Sequence, residues 1–171
     1  MGNPRSLFVS GMLLGAVLVV GPGSVHGQDD KGADKAKKAL MQFGAKLAAN
    51  DLDGVLKTVD VPFYHNANEP GRNEVLRDRE GLKKLMQRLL ASLKGKKAQL
   101  EVAQVLSYPK FLEAVGDKLA KEDRKLLDEV LAKDGYVVRV EVKDAEGKRL
   151  NRLTCFVASR GDEPKVVGVR D

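Results

Sequence analysis

The apolar positions of this chain change their period along its length. Ala36, Ala39, Leu40, Phe43 and Leu47 recur at helical spacing while Lys35, Lys37, Lys38 and Lys46 take other faces. An amphipathic helix is therefore expected over residues 34–49. Asn50 resets the chain and is expected to cap a short second helix. Asp51 and Asp53 sit in its first turn, at the positive end of the helix dipole, and Leu52, Val55, Leu56 and Val59 form its buried side. Val61, Pro62, Phe63, Tyr64 and His65 are strand formers apart from Pro62, which has no N–H to give a ladder. That places the stretch at a sheet edge or a strand start. Residues 66–71 read as loop and 73–77 as a brief returning strand. Asp78 then caps a third helix with an apolar stripe of Leu82, Leu85, Met86, Leu89, Leu90 and Leu93.

From residue 99 the period becomes two. Leu100, Val102, Leu106 and Tyr108 fall on one face together with Gln104, and Gln99, Glu101 and Ser107 fall on the other. Pro109 starts a charged helical insert, 109–134, whose clearest part is Leu126, Leu127, Val130 and Leu131 and which Lys133 and Gly135 close. An antiparallel meander follows. Tyr136, Val138, Val140 and Val142 face one way and Arg139, Glu141 and Lys143 the other, so only one face needs a cover. Residues 144–148 and 160–164 supply the hairpin loops, and 149–158 and 165–170 the remaining strands. The expected fold is α+β: N-terminal helices packed on a curved, mainly antiparallel, cone-like sheet, with the insert ahead of a C-terminal three-strand meander.

The amino-terminal end follows a different logic. Arg5 precedes an uncharged run of 15 residues, 6–20, ended by Gly21, Pro22 and Gly23. The run is shorter than the roughly 20 residues that cross a bilayer, and small residues follow it, as in a cleavable export signal. The expected organisation is a signal peptide over 1–27, a flexible leader over 28–33 and a single α+β domain over 34–171. A periplasmic or secreted protein follows, with no stable membrane insertion once the signal is cleaved.

Charge and composition narrow the partners. The net charge is +6, and the first 27 residues contribute only Arg5 to it. The remaining basic residues are spread through the elements, are not interleaved with aromatics, and the chain has no Trp, so nucleic acid is not an expected partner. Cys155 is the single cysteine, which excludes an intramolecular disulfide, and its alternation with Leu153 and Val157 marks it as core. No clustered ligand spacing points to a metal, and no motif points to a cofactor.

His65 is the one histidine left after export, and with Tyr64 and Asp60 nearby it is the weak candidate for a catalytic base. Neighbours in a strand point to opposite faces, so Phe63, not Tyr64, shares a side with His65. No catalytic residue is assigned. Gln104, Arg139, Arg152 and Arg170 are polar groups on expected strands. They either reach a helix-covered pocket, where Arg suits a carboxylate or phosphate, or lie on a solvated face paired with Glu141. The expected ligand-binding set is Phe63, His65, Gln104 and Arg152. Arg160, Gly161 and Asp162 spell an adhesion tripeptide, but Gly and Asp are what a tight turn selects.

The order of elements resembles the nuclear transport factor 2-like superfamily, which includes polyketide-cyclase-like and ketosteroid-isomerase-like proteins. The features that carry the resemblance are the long first helix, the run from Asn50 through Asp53 and Gly54 to Leu56, the aromatic strand Phe63, Tyr64 and His65, and the helix entry Arg79, Glu80, Gly81 and Leu82. The resemblance implies a pocket between the helices and the concave sheet, frequent homodimers through the sheet, and roles from isomerase to non-catalytic binding. The expected function is an exported, non-catalytic binding or interaction domain that takes a small apolar or acidic ligand or a partner protein in or around the helix-covered sheet, a homodimer through the sheet being one such partner. The alternative is a small cofactor-free isomerase, dehydratase or hydrolase with His65 or a buried carboxylate as base.

Overall fold

In the computed structural model the described residues are 31–66, 73–93, 99–144 and 146–170, so the expected export signal lies outside them. Helix α1 spans Lys31–Ala48 and begins three residues before the expected 34, so the end of the expected leader is helical. Asn50 ends this helix instead of capping the next. It adopts a left-handed conformation, φ 53°, which Asn tolerates better than most residues, and its N–H bonds the Leu47 carbonyl. Asp51 is the cap of α2 (Leu52–Thr58), its carboxylate accepting from the Gly54 N–H at 2.8 Å. Asp78 does the same for α3 (Arg79–Leu93) through the Gly81 N–H at 2.7 Å.

The strands are β1 (Val59–Asn66), β2 (Asn73–Leu76), β3 (Gln99–Ser107), β4 (Tyr136–Lys143), β5 (Arg149–Arg160) and β6 (Glu163–Arg170). They form one curved, unclosed sheet in the order β2-β1-β6-β5-β4-β3. All pairings are antiparallel except β1 with β6. The aromatic strand β1 is therefore internal, not an edge. Pro62 is accommodated because β2 pairs only from Phe63 onward and the β6 ladder is irregular between Val59 and Tyr64, so no ladder needs its missing N–H.

The inner face of the sheet is covered and the outer face is covered in part, so the expected solvated side of the meander holds at Arg139, Glu141 and Lys143 but not at Val137. On the inner face α1 lies across β3 to β6 and α3 against β1 and β2. Leu40, Phe43, Leu82 and Met86 meet Phe63, Val138, Val140, Cys155, Val157 and Val166 there. On the outer face the insert folds as α4 (Tyr108–Val115), a short 3-10 turn (Gly116–Lys118) and α5 (Lys121–Leu131). Its Tyr108, Phe111, Leu127, Val130 and Leu131 bury Tyr64, Val137, Phe156, Ala158 and Val167. Val137 was the missed signal: an apolar residue between inward-facing Tyr136 and Val138, fully buried under the insert.

Gly168 lies between Tyr64 and Phe156 in the register of this outer face. A Cβ there would stand 2.7 Å from the Tyr64 carbonyl oxygen, and the two rings close over the gap edge to face at 5.2 Å.

Candidate functional site

The inner face is where the expected ligand pocket would lie. Among the described residues every fully buried side chain is apolar or aromatic, and no carboxylate, histidine, lysine or arginine belongs to that set. Cys155 is the one reactive atom in it, and burial pushes its thiol up to about 12, which keeps it protonated and inert. α1 presses so closely on β3 that a Cβ at Gly44 would meet the Leu100 side chain at 2.8 Å. A depression of about 50 Å³ opens between the first turns of α1 and the β5–β6 hairpin, with Lys35, Tyr136, Ser159 and Asp162 on its wall. Small-molecule sites usually offer about 300–1,000 Å³, so this one suits water and little more.

The acid-base group of His65, Tyr64 and Asp60 is not assembled. His65 sits on the rim of the inner face opposite Glu74, with its Nε2 2.9 Å from the Glu74 carboxylate but outside hydrogen-bond geometry. Tyr64 points to the outer face, as strand alternation requires. Asp60 is held by the Arg79 guanidinium at 2.8 Å and by the Val61 N–H.

Nor do Phe63, His65, Gln104 and Arg152 converge. Phe63 is a closed core residue beneath α1 and α3. Gln104 belongs to the outer face because β3 carries a one-residue irregularity between Val102 and Gln104. A single extra residue inverts the side-chain alternation, so Leu100 and Val102 face inward while Gln104 and Leu106 face outward. Arg152 lies on the same outer face, 60% exposed, with its guanidinium 3.2 Å from Glu141.

The part of the outer face beyond the insert is charged. Glu141 accepts from Arg152 at 3.2 Å and Arg149 at 3.4 Å, and together they hold its carboxyl below the usual range. Glu101 stands directly opposite Glu141, a repulsive pairing that Lys143 relieves by contacting both. Nearer the insert, Gln104, Arg139, Thr154 and Arg170 form one row across four strands. Arg139 donates to the Gln104 amide oxygen at 3.0 Å.

The insert is tied down by polar contacts around its apolar patch. Arg77 makes two 2.8 Å bonds to Glu129, Asn73 bonds Asp123, and the Tyr108 hydroxyl donates to Asp128 at 2.7 Å. Arg160, the first residue of the adhesion-like tripeptide, is spent on the Val130 carbonyl. The Tyr64 hydroxyl is the exception. It is fully buried beside Arg170 and Asp123, close enough to feel both, but lacks a partner in hydrogen-bond geometry. Burial first and Asp123 second push it up to about 12.

No protein-family model matches the chain, and no curated protein matches it. Solved structures do. A designed nuclear transport factor 2 protein is similar at 9% identity and TM-score 0.51, over 80% of this chain and 96% of that one. A ketosteroid isomerase-like protein from Erwinia carotovora atroseptica is similar at 11% identity and TM-score 0.51, over 82% and 95%. A putative calcium/calmodulin-dependent protein kinase type II association domain from Thiobacillus denitrificans is similar at 12% identity and TM-score 0.50, over 78% and 90%. At such identities the likeness is one of architecture, and the fold of this chain is nuclear transport factor 2-like.

Proposed function

We propose that the chain is an exported, non-catalytic binding domain that acts through its surface. The observation that carries this is the chemistry of the helix-covered interior: its buried side chains are apolar, and its one thiol is held protonated. Proton transfer of the isomerase kind needs a group inside the cone that changes charge near the working pH. The described interior supplies apolar packing in its place. Export is inferred from the pattern of residues 1–27.

The competing enzyme reading rests on the His65–Glu74 pair at the rim. Incubating the chain from residue 28 with an enolisable ketone in deuterated water separates the two. Deuterium exchange no faster than in buffer is expected. Exchange that His65→Ala abolishes while the thermal melt stays unchanged would overturn the proposal.

A further inference from the structure

The sheet surface just beyond the insert differs from the rest of the charged face. In the rows farther out the carboxylates of Glu101 and Glu141 are taken by Lys143, Arg149 and Arg152. In the row next to the insert the cations are short of partners. Arg139 spends one N–H on a neutral amide, Gln104, and among the described residues no carboxylate lies within ion-pair distance of it. Among the described residues the nearest carboxylate to Arg170 is Asp123, 3.9 Å away and already bonded by Asn73. Thr154 pairs with Arg139 on one side and with Arg170 on the other. With strands spaced about 4.8 Å apart, the two arginines rise about 10 Å from each other across one short side chain. At the inner end of this slot the Tyr64 hydroxyl is buried beside Arg170 and Asp123.

We infer that Arg139, Thr154 and Arg170, backed by Tyr64, form a docking slot for a single carboxylate carried by an aspartate or glutamate side chain of a partner protein. This rests on the reading of the chain as a binding domain. Among the described residues the slot holds two guanidinium charges against one carboxylate, Asp123, and that surplus of one charge matches a carboxylate better than a phosphate dianion. Guanidinium forks are suited to bidentate carboxylate recognition. The slot is open, with Arg170 42% exposed, so it offers a free small acid little enclosure. A side chain delivered by a protein surface brings further contacts with it. Leu150, the one large hydrophobic residue exposed among those described, lies farther along β5 on the same strand as Thr154.

The test is a titration of the isotopically labelled chain from residue 28 with N-acetylated hexaglutamate, with sodium acetate and inorganic phosphate as separate arms at equal ionic strength. The readout is the Arg Nε–Hε resonances and the Thr154 amide. Hexaglutamate is expected to shift Arg139, Arg170 and Thr154, acetate to do so only at much higher concentration, and Arg139→Gln to weaken the peptide by about tenfold, as loss of a charged hydrogen-bond partner does. Arg152→Gln is expected to leave the affinity within about twofold, as for an exposed pair outside the slot. Equal weakening by Arg139→Gln and Arg152→Gln would mean diffuse attraction and would overturn the slot. So would tighter binding of phosphate, or shifts spread evenly over the surface. Arg139→Gln keeps the test decisive if Arg170→Gln fails to fold. Ketone turnover at His65 would sink the binding-domain reading without moving these resonances, so the two failures are distinguishable.

Discussion

The two faces of the sheet are closed by different means. On the inner face α1 and α3 bring a continuous apolar stripe, and the fully buried side chains described between them and the strands are apolar apart from one thiol. On the outer face the insert brings five buried side chains and a ring of polar ties to the far side of the sheet: Arg77 with Glu129, Asn73 with Asp123, Tyr108 with Asp128 and Arg160 with the Val130 carbonyl. Hydrophobic burial is non-directional and sets the strength of a contact, whereas hydrogen bonds at its border set where a helix pair sits. The inner layer is accordingly the stability of the domain, and the outer layer is a fitted cover that defines the boundary of the charged slot beside it.

The largest effect is expected on the inner side. Phe63→Ala should cost about 3–5 kcal/mol of global stability by urea unfolding, because a buried aromatic is removed from a site that α1 and α3 cannot collapse onto. A loss below about 1 kcal/mol would show a loosely filled interior and reopen the ligand pocket.

On the outer side Leu127→Ala should cost about 2–4 kcal/mol, and part of this should appear as local opening. Hydrogen exchange is expected to accelerate through α4 and α5 while α1 keeps its protection. Uniform acceleration would mean that the two layers unfold as one.

Alkaline pH probes both faces together. The Cys155 thiol, ordinarily near 9.0, and the Tyr64 hydroxyl, ordinarily near 10.0, are each raised to about 12 by burial. The folded state holds both protons more tightly than the unfolded chain does. Their contribution is therefore complete below about pH 9 and is lost as the pH climbs from the unfolded values toward 12. The urea midpoint should fall over that window. A midpoint that stays level there would show that water reaches both groups.

Tyr108→Phe should have the smallest effect, about 1 kcal/mol, since it removes one hydrogen bond to a half-exposed Asp128 and leaves the ring in place. Exchange in the first turn of α4 reads it. A loss several times larger would make the polar ring, not the apolar patch, the main hold on the insert.

Most of the elements were legible in the sequence because their signals are local. Helical spacing found α1 and α3, Asp78 was recognised as a cap, and the meander and its hairpins followed from alternation and turn residues. The element order also carried the likeness in fold that the solved structures show. Three features were not legible. Pro62 argued for a sheet edge or a strand start; β1 is no edge, and Pro62 lies near its start, ahead of the residues that pair with β2 and within the gap in the β6 ladder. Gln104 sat with the apolar residues until the irregularity in β3 turned it outward. The insert was recognised as helical, but its place over the outer face depended on Val137 and Phe156 meeting Phe111 and Leu127, residues far apart in the chain.

The sequence by itself determined the helices, the strands, the Asp78 cap and the apolar character of the core, because side-chain period and capping chemistry act over a few residues. Only the tertiary structure decided which face each strand residue takes, that the insert closes the outer side, and that Arg139, Thr154 and Arg170 share one row. Those outcomes depend on register, and one residue of slip in a strand exchanges its two faces without changing its local pattern.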